Sequence, residues 1–244
     1  MGMLAAAAVA AVFVGMSKGG LPVIGMLGVP VLSLAMSPVR AAALLLPIYV
    51  LSDLFGLWIY RREFSRRNIA ILFPGAVAGV AFGWATASIV PERAVTVLIG
   101  AIGVAFCVNQ WRVRGRTPPP RPADVPRGLF WGALTGFTSF VSHSGAPPFQ
   151  MYVLPQKLPK MVFAGTSTIL FAAVNAVKLV PYWALGEFTA DNLHVAALLV
   201  PVAVISTFAG YRLTRLLPEE TFFKVVQVAL FLVSLQLLWK GLAG

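Results

Sequence analysis

Between residues 39 and 60 the chain carries only two charged side chains, Arg40 and Asp53, and apolar stretches of similar length recur at 68–90, 93–111, 160–183, 192–211 and 221–240. A helix that crosses a bilayer needs about 20 apolar residues, so each of these six stretches predicts a membrane span. Backbone groups in hydrocarbon must pair within their own segment or in a closed barrel. Barrel strands alternate polar and apolar residues, and these stretches do not, so they are read as helices. With 59% hydrophobic and 11% charged residues and a mean hydropathy of +0.85, the chain keeps nothing for a sizeable soluble domain. The formal net charge of +11 invites a nucleic-acid reading. The basic residues sit in the connections between apolar stretches and form no basic face on a soluble module, so nucleic acid is rejected as a partner. The lone Cys107 excludes an internal disulfide and reads as packing. The first apolar run lacks a basic n-region and continues past Gly19 into further apolar sequence, so no cleaved signal peptide is expected and Met1 is expected in the mature protein.

Four shorter stretches, 3–16, 22–36, 128–142 and 146–154, come in two pairs. Each pair is interrupted by polar, glycine-containing sequence, Ser17-Lys18-Gly19-Gly20 in the first and Ser142-His143-Ser144-Gly145 in the second. Segments too short to cross, broken in this way, predict re-entrant helical hairpins over 3–36 and 128–154. The stretch 112–127, with Pro118-Pro119-Pro120 and several arginines, is a linker between two halves. The halves repeat: Pro74, Ala76, Val77, Gly83, Pro91 and Glu92 recur as Pro201, Ala203, Val204, Gly210, Pro218 and Glu219 without a gap, and Tyr60 and Glu63-Phe64 recur as Tyr182 and Glu187-Phe188. Lys and Arg in short loops favour the cytoplasmic side. Arg61, Arg62, Arg66 and Arg67, the linker arginines, and Arg212 with Arg215 therefore mark the inside, whereas Glu187 and Asp191 mark the outside. The resulting expectation is an all-α membrane protein of two inverted repeats, each a re-entrant hairpin plus three transmembrane helices. Residues 1–111 form the first repeat (hairpin 3–36, spans 39–60, 68–90 and 93–111). A cytoplasmic linker, 112–127, leads to the second repeat, 128–244 (hairpin 128–154, spans 160–183, 192–211 and 221–240). The expected location is the inner membrane, multi-pass.

Inverted repeats with broken helices are a plan of secondary transporters, whose substrates bind near mid-membrane where the helices are interrupted. Half-helix N-termini with free N–H groups suit anions, and glycine lets backbone come close. Candidate substrate-binding residues in the breaks are therefore Ser17, Lys18, Gly19 and Gly20, and Ser142, His143, Ser144 and Gly145, with the bound anion expected between the hairpin tips. A second reading of the same glycines is tight helix packing. Gln150, Asn175 and Lys178 are further candidates, Lys178 with the alternative of snorkelling to the interface. Asp53 lies deep in an apolar span, where a carboxylate is costly and is paired, titrating or functional. It is read as a proton-coupling group alongside His143, or as the partner of Lys18 or Lys178. Asn175 is its expected counterpart, at the same separation that relates Tyr60 to Tyr182. Back-bonding within the helix is the expected fate of Thr166, Ser167 and Thr168. The sequence contains no metal constellation, no cofactor motif and no nucleophile pattern, so no cofactor or metal is expected and the chain is not read as an enzyme. Trp58, Trp111, Trp183 and Trp239 fall at span ends as interfacial anchors.

At these residues the chain resembles the sulfite exporter TauE/SafE family of membrane permeases. The match lies in Gly15-Met16-Ser17-Lys18-Gly19-Gly20-Leu21-Pro22, in 41–47 running on to Asp53, and in Trp58-Ile59-Tyr60-Arg61-Arg62. It continues through Ser142-His143-Ser144-Gly145-Ala146-Pro147-Pro148 and Asn175-Ala176-Val177-Lys178, which together cover nearly the whole chain. The resemblance implies transport of sulfite, thiosulfate or an organosulfonate, by alternating access and with protons as a candidate coupling ion. An anion channel of the same architecture is the alternative. Expected partners are the small anionic substrate, the lipid bilayer and, as an option, further copies of the chain.

Overall fold

The structure, a computed structural model, describes residues 2–36, 38–86, 92–112, 119–184, 186 and 188–243. Part of the linker, together with Pro91 and Glu187 of the repeat pattern, lies outside the described residues. Every described element is helical: α1 (Met3–Lys18), α2 (Pro22–Gly25), α3 (Gly28–Leu32), α4 (Pro38–Tyr60), α5 (Arg66–Ala85), α6 (Glu92–Arg112), α7 (Val125–Ser142), α8 (Ala146–Val153) with a 3-10 turn Leu154–Gln156, α9 (Lys160–Ala184), α10 (Ala190–Leu216) and α11 (Glu219–Ala243). Five helices among the described residues are long and apolar enough to cross a membrane: Arg40–Tyr60, Arg66–Ala85, Lys160–Ala184, Asn192–Leu216 and Glu219–Leu242. The sixth expected span, 93–111, is helical within α6. Its described apolar part, Thr96–Arg112, falls in the shorter class. Proline sits inside α4, α5, α9 and α10, at Pro47, Pro74, Pro181 and Pro201. Membrane helices tolerate this because neighbouring groups take up the freed carbonyls.

The chain divides into two compact units that do not follow the two sequence halves. One comprises 1–69 and 160–218, the other 70–159 and 219–244. In the first unit, small side chains carry the packing. Ala6, Ala7, Ala10, Ala11 and Val14 of α1 form a core with Leu44, Leu45 and Ile48 of α4 and with Leu199 and Ala203 of α10. Small residues let helix backbones approach closely where lipid gives no hydrophobic drive to associate. A Cβ on Gly15 would collide with the Ala203 carbonyl and one on Gly19 with the Thr207 carbonyl, so α1 and α10 run parallel in near-backbone contact. After Gly20 the chain turns back. Gly25 packs on Ser17 and Gly28 near Val14, so α2 and α3 return along α1. α4 and α9 run antiparallel, with Asp53 against Asn175, Gly56 against Thr168 and Tyr60 against Gly165.

The second unit uses the same devices. α5 and α7 run parallel: a Cβ on Gly136 would collide with the Ala76 carbonyl, one on Gly132 with the Leu72 carbonyl, and Gly83 faces Phe140. Helix α7 starts on Asp124, whose carboxylate accepts from the Arg127 amide at 2.9 Å, an ordinary N-cap. It ends on His143 in the left-handed conformation (φ 52°). α8 then folds back so that the Tyr152 hydroxyl donates to the Asp124 carbonyl at 2.9 Å. α6 and α11 run antiparallel. The Arg93 guanidinium donates to the Gly241 carbonyl at 2.7 Å, Gly103 packs on Ser234, and Cys107 lies near the Gln227 carbonyl. Large apolar side chains stand outward on several helices, among them Ile205, Leu216, Leu232, Trp183 and Trp239. That is the surface a lipid solvent requires and water would punish. The chain is a multi-pass helical membrane protein.

Candidate functional site

The first break is built by glycine. Helix α1 stops at Lys18, and its last turn is closed by the Gly19 amide on the Gly15 carbonyl (3.0 Å), the Gly20 amide on the Ser17 carbonyl (3.3 Å) and the Leu21 amide on the Met16 carbonyl (3.4 Å). Gly20 has φ 111°, a region costly for any residue with a Cβ. An added Cβ there would also meet the Tyr60 hydroxyl, Ala164 and Thr214. The donor role expected of Gly19 and Gly20 is therefore not met. Both belong to a helix C-terminus, their amides are spent on the last turn, and what the break exposes is carbonyl oxygen.

Those carbonyls are capped by hydroxyls from three other helices. Tyr60 of α4 donates to the Gly19 carbonyl at 2.7 Å, and Thr214 of α10 donates to the same oxygen at 3.1 Å. Thr168 of α9 donates to the Lys18 carbonyl at 3.3 Å. The break is thus capped by side-chain hydroxyls. The expected back-bonding holds for Thr166, which donates to the Val162 carbonyl at 2.6 Å, but not for Thr168. Ser167 has a buried hydroxyl with no hydrogen-bond partner, as has Ser52 on α4. The hydroxyl of Ser17 is taken by the Val14 carbonyl (2.6 Å), so it is an acceptor toward any guest.

Beside the capped carbonyls lies a charge cluster shielded from solvent. The Lys18 ammonium stands 2.7 Å from Asp53 Oδ1. Asn175 Nδ2 donates to the other carboxylate oxygen, Oδ2, at 2.8 Å. Lys178, one turn further along α9, is fully buried, lies within electrostatic reach of both Lys18 and Asp53, and sits 5.9 Å over the Tyr182 ring. Lys178 is enclosed by protein, so it does not snorkel. Of the partners weighed for Asp53, Lys18 makes the direct ion pair. Asp53 and Asn175, matched by their place in the two halves, touch each other. Two lysines and one carboxylate share this buried space, so the fully ionised cluster carries a formal charge of +1. Buried charge of one sign is costly unless a counter-charge joins it.

The second break sits in the other unit. Ser142 donates to the Thr138 carbonyl (3.3 Å) and Ser144 to the Ser142 carbonyl (3.1 Å), so these hydroxyls too are engaged by backbone. His143 and Gly145 are buried at the turn into α8, whose first turn holds Pro147 and Pro148 and so offers few amide donors. Gln150 is fully buried, and both its amide oxygen and nitrogen lack a hydrogen-bond partner.

Sequence reasoning missed Tyr49. It lies one turn before Asp53 on the same face of α4, a spacing at which helical side chains meet. It also missed the capping role of Tyr60 and Thr214, for which the sequence holds no local signal.

The family model for sulfite exporter TauE/SafE matches residues 4–237. Comparison with curated proteins finds no match, and neither does comparison with solved structures.

Proposed function

The chain belongs to the sulfite exporter TauE/SafE family, and on that premise we propose that it is a secondary transporter of a small sulfur oxyanion, bound at the buried cluster of Lys18, Asp53, Asn175 and Lys178. Membrane transport of sulfur anions is the family's business. The finer reading rests on one observation, a solvent-shielded cluster of two lysines and one carboxylate beside a broken helix. An ammonium has three N–H donors. The Asp53 carboxylate and the Tyr49 ring take part of the Lys18 coordination sphere, and its remaining donor capacity serves a guest oxyanion, with the buried Lys178 a second lysine within electrostatic reach.

Charge balance then links transport to protons. With both lysines charged, a monoanion brings the cluster from +1 to zero. A dianion does so only when Asp53 takes up a proton, which makes Asp53 the coupling group for divalent substrates. Low dielectric makes this balance strict, since residual charge in the membrane interior is expensive.

Support for inverted repeats comes from how matched elements pack. The antiparallel pairs α4 with α9 and α6 with α11 join equivalent spans of the two halves. The parallel pairs α1 with α10 and α7 with α5 place Gly15 on the Ala203 carbonyl and Gly136 on the Ala76 carbonyl, and Ala76 and Ala203 are matched positions of the repeat. Alternating access between such repeats is the transport cycle this architecture serves.

The test is flux into proteoliposomes for sulfite, thiosulfate and organosulfonates, with wild type and Lys18→Ala. Saturable accumulation against a gradient, lost in the variant, is expected. Unchanged flux in Lys18→Ala removes that residue from the site, and purely downhill flux assigns the protein to the channels.

A further inference from the structure

The Lys18 ammonium has a second neighbour besides Asp53: it stands 4.9 Å from the centroid of the Tyr49 ring. An ammonium over an aromatic face is held by the ring quadrupole, most strongly where water is excluded, and both residues are buried. The ring is itself fixed at its far end, because the Tyr49 hydroxyl donates to the Gly25 carbonyl at 2.7 Å. Gly25 closes α2, the first turn of the returning arm, and packs back on Ser17, next to Lys18. Tyr49 therefore touches the charged end of one hairpin arm with its ring and the backbone of the other with its hydroxyl, from a position on α4 one turn before Asp53.

We infer that Tyr49 is a positioning residue for transport: its ring fixes the Lys18 ammonium for the anion, and its hydroxyl ties that position to the returning arm of the hairpin. This rests on the proposed anion site. When a guest oxyanion draws the ammonium from Asp53, the ring follows, and the Gly25 bond carries the displacement into α2. Ring and hydroxyl thus have separable duties, affinity for the first and turnover for the second.

Two variants separate them. Tyr49→Phe keeps the ring and removes the hydroxyl, and Tyr49→Leu removes both. In proteoliposome flux, Tyr49→Phe is expected to hold KM within about twofold while lowering kcat about fivefold or more, and Tyr49→Leu to raise KM about tenfold. The Lys18 ammonium resonance in ¹⁵N-edited spectra, assigned through Lys18→Met, is expected to keep its ring-current shift in Tyr49→Phe and lose it in Tyr49→Leu. Equal KM increases in the two variants, or wild-type constants in both, overturn the inference. So does a Lys18 resonance that ignores the loss of the ring, whether or not an anion is transported. A wild-type protein without saturable anion flux, but with the ring-dependent resonance intact, overturns the proposed function and leaves Tyr49 as the holder of Lys18.

Discussion

Replacing Asp53 by asparagine leaves Lys18 and Lys178 buried within electrostatic reach of each other with their shared carboxylate gone, whereas replacing Lys18 by methionine leaves Asp53 with Asn175 and Lys178 still near it. The two single losses are therefore unequal. Breaking a buried ion pair by removing one partner costs about 3–5 kcal/mol. The Lys18–Asp53 pair, 2.7 Å apart with both side chains 4% exposed, falls under that rule. Lys18→Met belongs near the lower bound, since the 2.8 Å bond from Asn175 survives, and Asp53→Asn near the upper. Independent losses would sum to about 8 kcal/mol, but groups in direct contact couple by up to about 3 kcal/mol, so the double variant should lose only about 5 kcal/mol. At about 2–4 °C per kcal/mol for a chain of this size, thermal unfolding in one detergent should fall by about 6–12 °C for Lys18→Met. The same slope gives about 10–20 °C for Asp53→Asn and a similar 10–20 °C for the double variant. A double variant that falls by the full sum, or an Asp53→Asn no worse than Lys18→Met, would refute the charge accounting.

The remaining predictions concern the break, the helix contacts and the proton. Gly20→Ala meets both a positive φ and three side chains and should lose at least about 1–2 kcal/mol in the same unfolding assay. Gly15→Ala and Gly136→Ala should each lower the unfolding temperature markedly, because a Cβ at either collides with a carbonyl, whereas Gly2→Ala, with nothing within 4 Å, should leave it unchanged. Proton uptake recorded with a pH-sensitive dye during transport should accompany a divalent anion and be absent for a monovalent organosulfonate. Equal proton movement for both would remove Asp53 from the coupling role.

How far the sequence carries can be read from individual residues. The break at Gly19-Gly20 and the cost of Asp53 at membrane depth were legible because both violate a local rule, one about helix continuity and the other about charge in hydrocarbon. Asn175 was legible as the counterpart of Asp53 through the repeat, and the two proved to be bonded. The polarity of the break was not. Spacing locates where a helix stops, but whether amides or carbonyls are left over depends on which helix ends there, and here α1 presents its C-terminus. The capping hydroxyls were hidden for another reason. Tyr60 and Thr214 stand 41 and 195 residues away in sequence from the carbonyl they share, and only the packing of α4 and α10 brings them together. Tyr49 was within reach, since its spacing from Asp53 places both on one helical face, but an aromatic in an apolar span reads as packing until its hydroxyl partner is known.

The most direct measurement is the location of a heavy anion. Crystals grown with selenite, a sulfite analogue, and recorded at the selenium edge should show one anomalous peak beside Lys18 and Lys178, its oxygens about 2.7–2.9 Å from an ammonium nitrogen. That peak should vanish in Lys18→Met. A selenite peak elsewhere, with the space around Asp53 and Asn175 unoccupied at saturating anion, would contradict the site and the transport reading built on it.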